Sequence, residues 1–110
     1  LDVIRDRNTL YRETPEGLIE NVYTLKILNM DSKPHRYTLW AEGIDGLKLV
    51  SDQPEIEVEE GSVFEMVVRL QADEYNLEAR SVEVNFHLQA QDSNHLNASR
   101  EARFVGPGSS

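Results

Sequence analysis

The chain has 110 residues, of which 39% are hydrophobic and 28% charged, a size and balance typical of one globular domain. Its net charge of −9 argues against nucleic acid and anionic lipid as partners, because both attract Lys and Arg. Without cysteine, the chain can hold neither a disulfide, nor a thiolate zinc site, nor a cysteine-bound iron–sulfur cluster.

The first half of the chain shows the period-two alternation that is typical of β-strands. Residues 1–5 predict an edge strand, and residues 10–12 predict a second short pairing. Residues 18–29 predict the central strand, since one face of a strand is apolar when it covers a core and the other face is polar. The predicted inward residues of this strand are Tyr23, Leu25 and Ile27. A polar turn at 30–34 follows, and the proline that closes it resists strand pairing.

Residues 35–41 predict the next strand, but two faces of it compete for the core. Tyr37, Leu39 and Ala41 share one face, whereas Trp40 lies on the other and is large enough to claim the core. The sequence leaves this alternative open. Further strands are predicted at 47–50, 55–59, 63–70, 82–90 and 98–105, with one helical turn at 76–80.

Seven or eight short strands separated by turns, with almost no helix, predict an all-β fold: an immunoglobulin-like antiparallel β-sandwich. We assign residues 1–105 to this domain and residues 106–110 to a flexible tail. In such a topology residue 1 lies at the same end as the loops 30–34, 59–61 and 91–97. The predicted inward residues are Tyr23, Leu25, Ile27, Leu39, Ile56, Val58, Phe64, Met66, Val68, Leu70, Val82, Val84, Phe86 and Leu88.

Three segments resemble a known family. They are Arg-Asp-Arg-Asn at 5–8 within residues 1–12, Asn-Val-Tyr-Thr-Leu-Lys at 21–26 within residues 20–27, and Phe-Val-Gly-Pro at 104–107. Together they resemble the C-terminal immunoglobulin-like domain of the FixG family, also called CcoG or RdxA. The resemblance extends over the whole chain.

The resemblance implies a parent protein of the bacterial inner membrane, with several membrane helices and a ferredoxin-like region that holds two 4Fe-4S clusters. Such proteins serve the assembly of the cbb-type cytochrome c oxidase, and a role in reducing copper has been proposed for them. This domain is then expected on the periplasmic side, after the last membrane helix. No apolar run here reaches the roughly 20 residues of a membrane helix. The chain also begins with Leu, so we expect it to be a piece of a longer protein.

No nucleophile motif, phosphate-binding loop or Cys/His metal spacing is present in the sequence. Carboxylates such as Glu57, Glu59 and Glu60 occur close together, but they alternate along a strand or lie in a turn, which is typical of a solvated acidic face. We therefore predict no catalytic residues and no cofactor in this chain. The 4Fe-4S clusters are expected elsewhere in the parent.

The histidines are His35, His87 and His95. His87 lies between Phe86 and Leu88, so it is predicted on the outer face of its strand. Met30, His35 and His95 fall in loops at the same end of the sandwich, and thioether with imidazole suits copper. They are candidate copper ligands, against the alternative that they are surface residues that never meet.

Two functions follow from these observations. In the first, the domain is a non-catalytic, periplasmic interaction or scaffolding domain that contacts other regions of the parent or oxidase assembly components. In the alternative, it handles metal and presents copper to the membrane part of the parent. Neither nucleic acid nor direct lipid binding is expected. Trp40 and Tyr75 are equally consistent with contact aromatics and with packing at the rim of the fold.

Overall fold

A computed structural model describes residues 1–6, 11–51, 56–92 and 97–107. Within these ranges the chain forms nine strands and one short 3-10 turn, Glu74–Asn76. These nine strands are one or two more than the seven or eight that the sequence predicts. They include the two-residue β2, which forms near the short pairing predicted at residues 10–12. The strands are β1 Asp2–Arg5, β2 Arg12–Glu13, β3 Ile19–Leu28, β4 His35–Glu42, β5 Lys48–Ser51, β6 Ile56–Val58, β7 Val63–Ala72, β8 Ser81–Ala90 and β9 Asn97–Val105.

The strands form two antiparallel sheets that enclose one core. The five-stranded sheet has the order β1-β3-β7-β5, with β2 also paired to β3. The four-stranded sheet has the order β6-β4-β8-β9. This order matches the ABED and CFG sheets of immunoglobulin domains, with β6 added beside β4. The predicted all-β, immunoglobulin-like sandwich is confirmed. The 3-10 turn is the helical element among the described residues, and it is too short to cross a membrane.

Strand β3 is central, as its alternation predicts. It pairs with β1 on one side and with β7 on the other along its whole length. Tyr23, Leu25 and Ile27 are at most 1% exposed, whereas Lys26 faces solvent. Each such buried aliphatic side chain stabilises the fold by about 1.5–3 kcal/mol relative to an exposed one.

The faces of β4 are also resolved. Tyr37 is buried and Leu39 half-buried on the inner face, while Trp40 lies outside and is 43% exposed. The indole stacks on the ring of His87 instead of entering the core. His87 therefore lies on the outer face of β8, as predicted.

The set of buried residues differs in part from the inward residues that the alternation predicts. Three residues predicted as inward, Leu39, Phe64 and Val82, are only partly buried. The helical turn predicted at 76–80 is wrong: it forms at Glu74–Asn76, where the Asp73 side chain accepts the Tyr75 N–H. Buried hydrophobic residues that the prediction omits are Ile19, Tyr37, Ile44, Ala72, Leu77, Ala90 and Phe104.

Two side chains of β3 connect the sheets through β9. The Tyr23 hydroxyl donates to the Arg103 carbonyl at 2.8 Å. The Asn21 carboxamide bonds Val105 twice, donating to its carbonyl at 2.8 Å and accepting its N–H at 2.9 Å. Asn21 thus bonds the backbone as a neighbouring strand would.

The chain remains packed beyond β9. Gly106 is buried, and its N–H donates to the Arg80 carbonyl at 3.0 Å. A side chain at this position would have its Cβ 2.6 Å from Leu77 Cδ1, so only glycine fits without a shift of Leu77. Residues 108–110, the last part of the predicted tail, lie outside the described residues.

Residue 1 lies at the end of the sandwich that carries the 30–34 loop. Asp2 pairs with Lys26, so Leu1 lies next to the last residues of β3. Leu1 also lines a cavity with Leu28 and Asn97, which belong to that end. We call this end, which includes residues 29–34, 59–62 and 91–92, the tip.

Candidate functional site

A buried histidine is held between two carboxylates at the tip. The side chain of His35, the first residue of β4, is fully buried. Its Nε2 lies 2.7 Å from Asp31 Oδ2, and its Nδ1 lies 2.8 Å and 3.0 Å from the two oxygens of Asp92. An ionised carboxylate can only accept, so both ring nitrogens donate and the ring is an imidazolium.

The three charges stabilise one another. Hydrogen bonds to Asp31 and Asp92 raise the pKa of His35 above its usual 6.5, against the effect of desolvation. The bond to His35 lowers the pKa of Asp31 and that of Asp92 below 3.8. The imidazolium of His35 and the two carboxylates therefore favour one another's charged forms.

Asn29 fixes the loop that supplies Asp31. Its Nδ2 donates to the carbonyls of Lys33 and Val58, each at 2.9 Å, and its Oδ1 accepts the Asp31 N–H at 2.9 Å. The Asn29 side chain is buried, since the residue is only 1% exposed. This network connects the end of β3 to β6 and fixes the backbone of Asp31, whose side chain bonds His35.

A cavity of about 280 Å³ opens beside the cluster. His35 and Asp92 line it, together with Pro34, Arg36, Glu57 and Gln91. Because both nitrogens of His35 already donate to carboxylates, the ring offers neither a free lone pair for a metal nor a base for proton abstraction. The hydrogen bonds of the cluster connect the 29–34 loop to Asp92, which follows β8. The His35 ring presents no reactive group to the cavity.

Two of the three candidate copper ligands, Met30 and His35, lie among the described residues. Met30 is 85% exposed, while His35 is buried and bonded to carboxylates. His95 lies outside the described residues. Among the residues that are described, no group of three or more His, Cys, Asp or Glu side chains is arranged to hold a metal ion.

A family model matches residues 1–107, and its description is "IG-like fold at C-terminal of FixG, putative oxidoreductase". The chain belongs to this FixG C-terminal family. A crystal structure of a FixG-related protein from Vibrio parahaemolyticus is similar, with a TM-score of 0.84 and 31% sequence identity. The match covers 96% of this chain and 94% of the Vibrio chain. No curated protein matches the chain.

The FixG resemblance read from the sequence is thus confirmed, whereas the partners of His35 were not predicted. The sequence carries one signal for them, an aspartate four residues before a histidine across a proline turn. Asp92 follows β8 and is 57 residues from His35, so only the sandwich topology brings the two together.

This FixG domain also exposes apolar side chains on the outer face of its five-stranded sheet. Ile4 is 53% exposed, Val67 53%, Leu28 49% and Val63 63%. Thr24 pairs with Ile4 on one side and with Val67 on the other, and Leu28 pairs with Val63. We call Ile4, Leu28, Val63 and Val67 the apolar face.

A row of charges crosses the apolar face. Lys26 lies between Asp2 on β1 and Glu65 on β7 in the strand register. The row separates the pair Leu28 and Val63, at the tip, from Ile4 and Val67 further along the strands.

Proposed function

We propose that this domain is a non-catalytic interaction module on the periplasmic side of a FixG-like membrane protein. The parent would be an oxidoreductase with 4Fe-4S clusters outside this chain, serving assembly of a cbb-type cytochrome oxidase. Membership of the FixG family supports the parent. The non-catalytic role of the domain is supported by the cluster of His35, Asp31 and Asp92, whose hydrogen bonds connect loops of the domain itself.

The apolar face carries this proposal. Single exposed apolar residues are common, but here four lie on one face of the sheet across three strands, Leu28 beside Val63 on one side of the charged row and Ile4 and Val67 on the other. The occupant we propose is the remainder of the parent protein. Leu28 and Val63 lie at the tip, where Leu1 also lies, and we expect the last membrane helix of the parent to precede Leu1.

The charges favour a protein surface over lipid as that occupant. The chain has a net charge of −9, so anionic lipid headgroups would repel it. The row Asp2, Lys26 and Glu65 instead requires a partner with fixed charges, because a cation and two anions must be matched at fixed spacing.

Site-specific photocrosslinking in the full-length parent tests the proposal. A photoreactive residue at Val67 is expected to crosslink to another segment of the same polypeptide, identified by mass spectrometry. The matched control is Tyr75, which is 91% exposed in the turn after β7, and no crosslink to the parent is expected from it. Crosslinks from Val67 only between two copies of this domain, or equal yields from both positions, would overturn the proposal.

A charge on the apolar face provides a second test. Val67→Glu places a carboxylate at a half-exposed position, so the domain should keep its circular dichroism spectrum and its denaturation midpoint. In the full-length parent the same change should abolish the crosslink from a photoreactive residue at Val63. Retention of that crosslink would show that the apolar face makes no contact there.

The copper-presenting alternative is tested by calorimetry with Cu(I) and Cu(II). We expect no submicromolar binding, because protonated His35 must first lose its proton and its carboxylate partners before it can ligate a metal. Submicromolar affinity that is lost in a His35→Ala, His95→Ala double variant would restore the metal-handling function.

A further inference from the structure

The outer face of the four-stranded sheet carries an aromatic stack that the proposed function does not use. Trp40, the single tryptophan of the chain, stacks on His87 with 5.3 Å between ring centroids and 23° between planes. His87 is itself held, with Nδ1 2.8 Å from Ser99 Oγ and Nε2 2.8 Å from Glu42 Oε1. One face of the indole thus lies on a ring that two side chains orient.

The other side of the indole faces away from His87. Strand β6 pairs with β4 only from His35 to Tyr37. In the part of the chain that the structure describes, no strand therefore lies beside Trp40 on the side away from His87. Trp40 is 43% exposed. An indole presented in this way attracts cations to its ring face, and tryptophan is the aromatic residue that does so best.

Carboxylates extend from this stack along the sheet. Glu42 lies two residues after Trp40 on the same face, and its side chain is 66% exposed. Asn85 pairs with Glu42 on one side and with Glu101 on the other. Glu83 shares a hydrogen bond with Glu101, and this bond raises the pKa of Glu101 because two carboxylates repel when both are ionised.

Nearby guanidinium groups balance only part of this negative charge, that of Arg103 acting on Glu101. Arg103 pairs with Glu83 in the strand register, yet its Nε and Nη2 both donate to Ser81 at 2.9 Å. Arg36 lies 3.4 Å from Glu57, towards the tip. The surface around Trp40 thus combines a partly exposed aromatic ring with an excess of negative charge.

We propose that Trp40, Glu42, Glu83 and Glu101 form a docking surface for a basic protein segment. An arginine or lysine side chain of that segment stacks on the face of Trp40 away from His87, and neighbouring cations pair with the carboxylates. Charge complementarity selects this occupant, since Glu42, Glu83 and Glu101 together carry more negative charge than the nearby Arg103 balances. The surface lies on the opposite sheet from the apolar face and does not rest on the function proposed above.

Fluorescence titration of the isolated chain tests this surface. The Vibrio chain, 94% of which this domain matches, was crystallised as essentially this domain, so the fold does not require the rest of the parent. The probe is a blocked peptide of four arginines, and the signal comes from Trp40 itself. We expect a saturable change that weakens as salt is added, and no change with a blocked peptide of four glutamates.

Matched charge variants separate this surface from general attraction to an acidic protein. Glu42→Gln combined with Glu101→Gln should weaken binding about tenfold, which corresponds to about 1.4 kcal/mol. Glu59→Gln combined with Glu60→Gln removes the same charge elsewhere and should leave the affinity within about twofold. Equal weakening by the two double variants, or no saturable response of the parent chain, would overturn the proposal.

Discussion

Removal of one hydroxyl group, by Tyr23→Phe, tests whether β3 holds the two sheets together. The Tyr23 side chain is fully buried, and its hydroxyl donates to the Arg103 carbonyl at 2.8 Å. Phenylalanine keeps the ring, including its edge contact with Phe86 at 5.1 Å, and removes only the donor. The variant therefore isolates a single hydrogen bond between the sheets.

The expected loss is about 1–2 kcal/mol in the free energy of unfolding. A buried group left without its partner costs about 1–3 kcal/mol, and because β9 is an edge strand we expect the Arg103 carbonyl to recover part of this loss from water. For a domain of this size the loss corresponds to a fall in melting temperature of roughly 5–15 °C.

Urea denaturation, followed by Trp40 fluorescence and by circular dichroism, measures this loss. Tyr75→Phe is the matched control: Tyr75 is 91% exposed, so its stability should change by less than about 0.5 kcal/mol. The dependence of the unfolding free energy on urea should be the same in all three proteins. A Tyr23→Phe midpoint equal to that of the control would refute the role of this bond.

Two further predictions concern the tip and the central strand. Because the pKa of His35 is raised in the folded protein, the protonated ring stabilises the fold below pH 6.5, its ordinary pKa. This stabilisation is lost as pH rises through the folded-state pKa. Because the pKa values of Asp31 and Asp92 are lowered, their carboxylates stabilise the fold above pH 3.8, and this stabilisation is lost as pH falls through their folded-state pKa values. The contribution of the whole cluster to stability should therefore be largest between about pH 4 and 6.5. Thermal melts across pH, of the unaltered chain and of Asp92→Asn, measure this contribution. The same loss of stability at alkaline pH in both proteins would contradict the prediction. Lys33 and Tyr37 are the other titratable groups that interact with the cluster. Leu25→Ala should cost about 2–5 kcal/mol and Lys26→Ala less than about 0.5 kcal/mol in denaturant midpoints, whereas equal losses would mean that the register of β3 is reversed.

The strands were predictable because their signal is local. Alternation in residues 18–29 identified the inner face of β3, and the same pattern located β8 and β9 within one residue of their observed limits. Alternation could not decide between the faces of β4. That choice depends on whether Trp40 finds a partner outside the core, and the partner, His87, lies 47 positions along the chain and on another strand.

The buried polar residues were not predictable for a different reason. Asn21 and Asn29 look like ordinary polar positions of a strand and its following turn, yet both are at most 2% exposed. Their hydrogen-bond partners, Val105 and Val58, are brought to them only by the folded sheets. For His35 the same holds: the sequence placed it in a tip loop as a copper candidate, and only the fold brings Asp92 to its ring.

The bonds from β3 to β9 also affect how this domain meets other chains. An edge strand with free backbone groups is a template on which a foreign strand can add, the first step of aggregation. At the end of β9 these groups are already occupied, because Asn21 bonds both the N–H and the carbonyl of Val105. Tyr23 takes the Arg103 carbonyl in the same way. An invading strand would have to displace two side chains of the central strand, so this end of the β9 edge is protected without proline or lysine.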